Sequence, residues 1–589
     1  YNPNYFPGNE GGEVHEVPPK SPQCITPQSY EETVNTPVED KRSSTSRFSG
    51  LFNQGKSIAA RIGSLTSDTM NLSMLKQFFV ETERNQILLQ FNTMSNQLPS
   101  MNCALFSTGI PLLSNIKVEG TYFGQVLFDG FDARRLNVIE ILDFEQGLGV
   151  LLRGSVQERT QMTCRMFDPR NTNAIDKNAF SRVILSAYEV IEKMVGLDIS
   201  NQQQKCDELF FKVGQGRPYL TGQDFERVIK ANQDIDGSEI AFHALNLLPD
   251  MKQRSSKRYP LKTPSEMASF GQENFQKMLN LMIGIRLSQD YCFRTSHAIS
   301  DRDCYEVHSY RLPYSEVQFV DHAPLTFSDI RRTFNVMDRE YAMAFGPEQL
   351  VGNLLCSKLT TMSEKITDGK SGNFFYHSHD GYFLCKTISN AELNGFKTSL
   401  SHYSSYCRNH PNTLLAKYYG LHEMNMIPIV VMANVFETNK KLNLVFDLKG
   451  SRQGRTNTSG VGALKDLDWI DRDIKLNIAH HDRVKLMAQI EKDVEFLQTN
   501  RIIDYSLLLG IHQSEGHVNR ENDGGVYSED GRQVYYMGII DTLVVYGNRK
   551  ALEHHFKGLI SNEHSVVPPS DYASRFLNFV KSSVLQVNC

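Results

Sequence analysis

The stretch IIDYSLL at residues 502–508 contains one aspartate, Asp504, inside an otherwise apolar run. A second short apolar stretch, GIID, ends in Asp541, and upstream the run FLCKTI contains a single lysine, Lys386. Apolar runs of this length are typical of buried strands. A strand lysine can hold nucleotide phosphates, while one carboxylate orients an attacking hydroxyl and another binds Mg²⁺. These residues therefore predict a site for phosphoryl transfer at the ends of strands.

A glycine-containing segment, GKSGNFF, precedes the strand of Lys386. Its glycines, Gly369 and Gly372, would let backbone amides approach nucleotide phosphates. Such a pair is weak evidence alone, because many β-turns contain two glycines. A hairpin signal at residues 379–381 and then the lysine follow it, and this order predicts the nucleotide-binding lobe of a kinase.

Length and composition exclude several classes of protein. The chain has 589 residues, too many for one core, so we expect two or three folded units. A net charge of −5 excludes a globally basic protein, and we expect no nucleic-acid partner. Uninterrupted apolar stretches fall short of the roughly 18–20 residues of a membrane span. The ten cysteines are dispersed without a CxxC pair, which predicts reduced thiols in a cytosolic protein and no zinc site.

Residues 1–70 are rich in Pro, Ser, Thr, Asn and Gly, and we expect them to be disordered. Because the chain begins at Tyr1 rather than methionine, we expect it to be a fragment. Residues 41–61 carry Lys and Arg without acids, interleaved with Phe, Leu and Ile. This segment could lie on an anionic membrane, although a solvated, phosphorylatable tail is the favoured interpretation.

Residues 71–240 have a helical pattern in which a polar loop, a single Ile or Leu and a helix beginning near a Phe recur. The copies run over residues 167–180, 131–144, 213–225 and, more weakly, 92–106. This pattern resembles an array of four EF-hands of the neuronal-calcium-sensor or calcineurin-B type.

The loops of this region depart from calcium-binding loops, which need oxygen ligands at positions 1, 3, 5 and 9 and a bidentate Glu at position 12. Position 3 is Arg134 in one loop and Arg170 in another. Position 5 of the loop that begins at Val213 is Arg217. A cation at a ligand position repels Ca²⁺, so we expect an EF-hand-like scaffold that kept the fold and lost the ion.

The second half of the chain carries a different resemblance. Residues 241–273 form a basic linker, for which a membrane-facing patch is the alternative. Beyond them, DLKGS at 447–451 and IDYSLL at 503–508 closely resemble the phosphatidylinositol phosphate kinases. The resemblance implies an α+β, two-lobed lipid kinase domain of antiparallel sheets plus helices over residues 274–589, preceded by the all-α EF-hand-like domain at 71–240.

The resemblance also implies a role for each nucleotide-binding residue. Lys386 would hold the α- and β-phosphates of ATP and would pair with Glu392. Met432 lies on an apolar strand leading toward the adenine-binding hinge. Lys449 would contact the ATP phosphates, and Lys465 would lie beside the nucleotide. The glycine segment matches the GxSGxxFF form of the lipid kinases.

The two aspartates take the roles of catalytic carboxylate, for Asp504, and Mg²⁺ ligand, for Asp541. A helix with apolar residues at helical spacing, from Val484 to Leu497, leads to the first aspartate. The polar segment 513–534 between the two is expected to be a mobile loop. An Asn four or five residues after the first aspartate is lacking, so the number of bound metal ions stays open.

The segment after Asp541 corresponds to the loop with which this family binds the membrane and selects the lipid. Arg549 and Lys550 match a dibasic pair there, and Glu553 lies in an LEHxxK sequence that resembles the phosphatidylinositol 4-phosphate 5-kinases. The implied reaction transfers the γ-phosphate of ATP to the 5-OH of phosphatidylinositol 4-phosphate. The alternatives are a 5-phosphate 4-kinase, a kinase for a 3-phosphorylated lipid, and a Ca²⁺-regulated adaptor with an inactive kinase domain.

The cofactors implied are ATP and Mg²⁺, and the partners are a phosphoinositide and an anionic membrane surface. A homodimer and a regulatory protein bound by the N-terminal module stay open. The implied location is the cytoplasm, peripheral on the cytosolic face of membranes, with the plasma membrane favoured.

Overall fold

The structure is a computed structural model that describes residues 76–231 and 273–585, with internal gaps at 115, 117, 198–201, 296–297, 314, 360–362, 365–374, 379–380, 439, 452–453, 459, 461, 521–523 and 548–566. The expected disordered segment 1–70 and nearly all of the basic linker lie outside the described residues. The part from Lys76 onward is one compact unit. Among its described helices, none has the length and apolar character needed to cross a membrane. The eight described cysteines are free thiols.

The described residues up to 231 form four helix–loop–helix units arranged in two pairs. The first pair contains α1 (Glu81–Met94), β1 (Ser100–Met101), α2 (Cys103–Ser114), α3 (Tyr122–Phe131), β2 (Ile139–Glu140) and α4 (Ile141–Arg153). The second pair contains α5 (Val156–Phe167), β3 (Ile175–Asp176), α6 (Lys177–Val195), α7 (Gln203–Gly214), β4 (Tyr219–Leu220) and α8 (Gly222–Ala231). Two-residue strands join the loops of each pair, β1 antiparallel to β2 and β3 antiparallel to β4.

The recurring phenylalanines explain why this sequence folds into paired units. Each of the four is the fourth residue of the helix that follows its loop: Phe106, Phe144, Phe180 and Phe225. All four are buried. The ring centroids of Phe106 and Phe131 are 5.2 Å apart, and those of Phe167 and Phe225 are 4.7 Å apart. Aromatic pairs at such distances add roughly 0.5–1.5 kcal/mol beyond their buried area.

A larger sheet follows in the next part of the chain. Within the described residues its seven strands run in the order β5-β6-β10-β11-β9-β8-β7, and neighbouring strands are antiparallel. The strands are β5 (Val307–Arg311), β6 (Gln318–His322), β7 (Ser363–Glu364), β8 (Phe375–His377), β9 (Phe383–Thr387), β10 (Tyr418–Met424) and β11 (Ile427–Ala433). The accompanying helices are α9 (Glu273–Arg294), α10 (Pro324–Thr333), α11 (Asp338–Phe345), α12 (Pro347–Leu355) and α13 (Asn390–Asn409), with a 3₁₀ turn at Asp301–Tyr305.

The last part of the chain contains a four-stranded antiparallel sheet in the order β12-β14-β16-β15. Its strands are β12 (Leu444–Leu448), β14 (Ser506–Gln513), β15 (Val526–Tyr527) and β16 (Gln533–Ile540), and a separate short pair joins β13 (Ile502–Ile503) to β17 (Val544–Val545). The helices are α14 (Asp466–Asp471), α15 (His480–Thr499) and α16 (Pro569–Phe579), followed by a short π-helix at Val580–Val584.

One sequence expectation changes here, and another is confirmed. The segment 513–534 is not simply a loop, because β15 lies within it and pairs with β16. The expected helix before Asp504 is confirmed as α15. Val484 near its start is 44% exposed, whereas the apolar residues that follow it at helical spacing are buried. The first turn of α15 therefore projects beyond the core.

The helical region and the seven-stranded lobe share one continuous apolar core. Helix α6 packs against α9 and α12. The hydroxyls of Thr163 and Ser357 hydrogen-bond at 2.8 Å with both side chains buried. Two residues further on, the Leu359 amide donates to the Leu151 carbonyl at 2.9 Å. A polar pair enclosed in apolar surroundings fixes how the two parts meet, because each hydroxyl needs the other.

We expect Thr163→Val and Ser357→Ala each to lower the free energy of unfolding by about 1–3 kcal/mol, since each leaves one buried hydroxyl without its partner. The double variant should cost clearly less than the sum of the two single changes. Denaturant unfolding of all four proteins measures this coupling. Thr160→Val on the same helix is the matched control, because its hydroxyl bonds only to the Val156 carbonyl of that helix. Additive losses would show that the contact between the two parts carries no coupling.

Candidate functional site

Lys386 and Asp541 meet between the two large sheets. Burial alternates along β9, so the side chain of Cys385 enters the core while that of Lys386 stays partly exposed on the other face. Its Nζ donates to Asp541 Oδ1 at 2.9 Å, and Asp541 directly follows β16. The carboxylate raises the pKa of Lys386, although burial lowers it. The lysine therefore remains a cation beside a strand-end carboxylate.

A second lysine–aspartate pair lies at the same edge of the four-stranded sheet. Lys449 directly follows β12 and Asp504 directly follows β13. The Lys449 Nζ donates to Asp504 Oδ1 at 2.6 Å. In the antiparallel register Leu448 faces Leu507 and Ser506 faces Ile540. The end of β12, the start of β14 and the end of β16 therefore lie side by side. This alignment brings Lys449, Asp504 and Asp541 close together.

Asp466 organises the turn that follows β12, a role that the sequence did not indicate. Its carboxylate is fully buried. Its Oδ1 accepts from the backbone amides of Lys449, Gly450 and Ser451 at 3.0, 2.6 and 3.2 Å. Gly450 has a φ of +71°, and an added Cβ would lie 3.1 Å from the Arg575 carbonyl oxygen. A hydrogen-bonded turn and a required glycine thus hold the backbone of Lys449.

Lys465 lies beside this turn, where its Nζ donates to Asp447 Oδ2 at 2.8 Å. Burial alone would raise the pKa of Asp447, but Lys465 and neighbouring donors hold it below its usual value. Arg455 bridges the same region, with its Nε donating to Asp466 Oδ2 at 2.5 Å. The strand-end charges therefore form a connected network rather than isolated pairs.

Both site aspartates have left-handed backbones, with φ of +66° at Asp504 and +59° at Asp541. Non-glycine residues adopt this region at an energetic cost, although Asp and Asn tolerate it better than others. Such strain persists where the surrounding structure enforces it, and it concentrates at functional positions. Both aspartates that the sequence singles out therefore share this conformation, which some other described residues also adopt.

The pairing of Glu392 with Lys386 that the resemblance implies is not formed in this structure. Glu392 instead closes a capping box at the start of α13, accepting from the Ser389 amide and hydroxyl at 2.7 Å each. Asp541 takes the place of that carboxylate at the lysine. Glu392 still contributes at a distance to the field that raises the pKa of Lys386.

Met432 lies near the end of β11, opposite Leu384 of β9, and is partly buried. The chain leaves this strand through Asn434, whose side chain donates to the Gly381 carbonyl at 3.0 Å. The remaining predicted site residues lie outside the described residues: Gly369, Gly372, Arg549, Lys550 and Glu553.

The described residues contain no group of three or more His, Cys, Asp or Glu side chains placed to hold a metal ion. A divalent cation in a phosphoryl-transfer site needs fewer, since it typically takes one or two carboxylates together with substrate phosphates. The partly exposed carboxylate of Asp541 fits such a role. A strand lysine, a lysine-paired carboxylate and a second strand-end carboxylate would suit nucleotide-dependent phosphoryl transfer.

Comparison with known proteins shows what this part of the chain is similar to. Residues 356–525 and 516–583 match the family described as Phosphatidylinositol-4-phosphate 5-Kinase. The matched region contains Lys386, Lys449, Lys465, Asp504 and Asp541, so the match and the site coincide.

Curated relatives carry the same name. The chain is 30% identical over 366 residues to a phosphatidylinositol 4-phosphate 5-kinase of Plasmodium falciparum, covering 53% of this chain and 21% of that protein. It is 29% identical over 412 residues to phosphatidylinositol 4-phosphate 5-kinase its3 of Schizosaccharomyces pombe, covering 54% of each. It is 27% identical over 406 residues to phosphatidylinositol 4-phosphate 5-kinase 6 of Arabidopsis thaliana, covering 54% of this chain and 55% of that protein. The chain thus spans from about a fifth to about half of these relatives.

The strain at Asp541 leads to a stability prediction. Asp541→Gly and Asp541→Ala remove the same carboxylate, but only glycine adopts a φ of +59° without steric cost. We expect the glycine variant to unfold with a free energy about 1 kcal/mol higher than that of the alanine variant. Chemical denaturation of both proteins measures the difference. Equal stabilities would mean that the left-handed backbone at this position carries no strain.

Proposed function

We propose that this protein is a lipid kinase that transfers the γ-phosphate of ATP to the 5-OH of phosphatidylinositol 4-phosphate, giving phosphatidylinositol 4,5-bisphosphate. The observation that carries the proposal is the convergence of the pairs Lys386–Asp541 and Lys449–Asp504 at adjoining strand ends. This convergence lies within the region that matches the phosphatidylinositol-4-phosphate 5-kinase family. The names of the relatives support the choice of lipid.

In the proposed reaction the oxygen of the inositol hydroxyl attacks the γ-phosphorus, and Asp504 accepts the proton of that hydroxyl. The new O–P bond forms as the bond between the γ-phosphorus and the bridging oxygen breaks, and ADP leaves. Lys449, 2.6 Å from Asp504, stabilises negative charge that develops on the transferred group. Positioning and electrostatics supply the catalysis, without a covalent enzyme intermediate.

Lys386 would contact the α- and β-phosphates, and its raised pKa keeps it charged at every physiological pH. Asp541 would hold Mg²⁺, which when bound neutralises phosphate charge. Nucleotide binding would draw Lys386 toward the phosphates and release the Asp541 carboxylate for the cation. The ion pair between them keeps each side chain near its place in the absence of substrate.

Two of the three alternatives differ from the proposal at named residues. A 5-phosphate 4-kinase would differ at the lipid-selecting loop, where Glu553 favours the 5-kinase by resemblance; that residue lies outside the described part of the chain. An adaptor with an inactive kinase domain would have no need of Lys386, Asp504 and Asp541 together. The presence of all three residues and their geometry favour the enzyme.

Asp504→Asn and Asp541→Asn should each abolish lipid phosphorylation while leaving the fold intact. Asparagine keeps the shape of the side chain and its tolerance of positive φ, but it lacks the charge that takes up the proton or binds the cation. The assay incubates the 589-residue protein with labelled ATP and vesicles that contain phosphatidylinositol 3-, 4- or 5-phosphate.

The lipid panel separates the alternatives. Label incorporated mainly into the 4-phosphate, and lost in both variants, supports the proposal. Preferred labelling of the 5-phosphate would replace it with a 4-kinase. Absence of lipid labelling by the wild-type protein would favour the adaptor. Turnover that survives either asparagine substitution would remove that residue from the mechanism.

For the helical region, we propose EF-hand-like units in which arginine takes the place of calcium. In the loop that begins at Asp132, Arg134 Nε and Nη2 donate to Asp143 at 3.0 and 2.7 Å, and Nη2 also donates to Glu140 at 2.6 Å. Asp143 is position 12 of this loop. The guanidinium therefore binds the carboxylates that a bound calcium ion would contact.

The loop that begins at Val213 has the same design. Arg217 at position 5 pairs with Asp224 at position 12, whose side chain is fully buried. Burial raises the pKa of Asp224, but the Thr221 amide and Arg227 hold it below its usual value. An internal cation thus closes both of these loops, and ion pairs take the place of the metal there.

We therefore expect the protein to bind no Ca²⁺ at micromolar concentration, which titration calorimetry on the full chain would measure. The double variant Arg134→Asp with Leu136→Asn is the matched comparison, because it removes the internal cation and supplies oxygen ligands at positions 3 and 5. It should gain measurable Ca²⁺ binding. A clear exotherm of micromolar affinity with the wild-type protein would contradict the proposal.

The substrate being a lipid, we propose that the protein works at the cytosolic face of a membrane, with the plasma membrane favoured. An anionic surface would meet Arg549 and Lys550 in the lipid-selecting loop. A homodimer and a regulatory protein bound by the helical region stay predictions from the sequence.

A further inference from the structure

Asp493 is a buried carboxylate that lies outside the two charged pairs and has no part in the chemistry described above. It lies on α15 and is fully buried. Four donors surround it: the Thr413 hydroxyl at 2.6 Å, the Tyr406 hydroxyl at 2.7 Å, the Leu414 amide at 2.8 Å and Gln489 Nε2 at 2.9 Å. The donors come from α13, from the segment between α13 and β10, and from α15 itself.

The segment that binds Asp493 also holds the strand that ends at Asp541. The Ile539 amide donates to the Leu414 carbonyl, and the Ala416 amide donates to the Ile539 carbonyl, each at 2.7 Å. Ile539 is fully buried and precedes Asp541 by two residues. A displacement of Leu414 would therefore move the backbone of β16 just before the Asp541 carboxylate.

The helix that carries Asp493 leads in the other direction to Asp504, through the short strand β13. Tyr406, one of its donors, also stacks on Phe496 of this helix with ring centroids 4.5 Å apart. The Asp493 side chain thus joins α15, which leads to Asp504, to the segment that holds β16, which leads to Asp541.

An apolar side chain would fill this space at a lower desolvation cost than a carboxylate does. Burial raises the pKa of Asp493, while the four donors lower it. An apolar residue, however, could not bind an amide and two hydroxyls at once. The carboxylate therefore supplies directional contacts between three elements, which packing alone does not.

We propose that Asp493 is a positioning residue for phosphoryl transfer, which sets the relative placement of Asp504 and Asp541 through Thr413, Leu414 and Ile539. This inference rests on the proposed kinase function. The residue acts through the backbone and touches neither nucleotide nor lipid.

The test compares Asp493→Asn and Thr413→Val with wild type. Asparagine keeps the volume but removes one acceptor, and valine keeps the shape of threonine but removes its hydroxyl. We expect kcat to fall by about 10–100-fold, because small displacements of reacting groups carry costs of that size. The KM for ATP should change less than kcat does, since Lys386, which would contact the α- and β-phosphates, is untouched. Thr413→Ser, which retains the hydroxyl, should restore most of the activity.

Ile490→Val is the matched control for stability, because Ile490 is fully buried on the same helix but makes no side-chain hydrogen bond. It should lower the melting temperature and keep kcat. Loss of kcat in the control as large as in Asp493→Asn would overturn the inference, as would unchanged kcat in Asp493→Asn.

A readout that needs no lipid turnover keeps this inference separate from the proposed function. Amide hydrogen exchange in Asp493→Asn should quicken by about tenfold in residues 413–416 and at the end of β16, but not in β9. Exchange at the end of β16 that matches wild type would overturn the inference even if the lipid assay fails. Faster exchange at the end of β16 supports the inference, whichever lipid the protein phosphorylates.

Discussion

The site depends on the register of three antiparallel strands, β12, β14 and β16. A slip of one residue would turn every side chain of a strand to the opposite face of the sheet. Leu507, Leu509 and Ile539 prevent the slip, because all three are completely buried and would otherwise face the other side. With the register fixed, the turns that follow β12 and β16 emerge at one edge. The charges of Lys449, Asp504 and Asp541 meet there because apolar residues elsewhere set the alignment.

The residues that carry charge in short apolar runs could be found from the sequence. Lys386, Asp504 and Asp541 each interrupt such a run, and the structure brings all three to one region. The order of glycine segment, hairpin and lysine also indicated two antiparallel strands, which are β8 and β9. Local pattern was sufficient here because each signal is carried within a few residues.

The supporting residues could not be found in this way, because their roles depend on contacts distant in sequence. Asp466 binds the amides of a turn that ends many residues earlier. Thr163 and Ser357 form one hydrogen bond although 194 residues separate them. Nothing in the neighbouring sequence marks any of these three residues as buried, since a lone Asp, Thr or Ser side chain is usually exposed to solvent. Glu392 shows the opposite difficulty: its local role as a helix cap prevails over the pairing that resemblance implies.

The core shared by the helical region and the seven-stranded lobe limits which substitutions each of the two parts can accept. Apolar surface on α6, α9 and α12 is hidden only while both parts are present. A fragment produced without the preceding helices would carry that surface into water and tend to associate with other molecules. Substitutions on one side of the boundary are therefore constrained by those on the other. The helical region therefore completes the core of the seven-stranded lobe and is not a separate appendage to it.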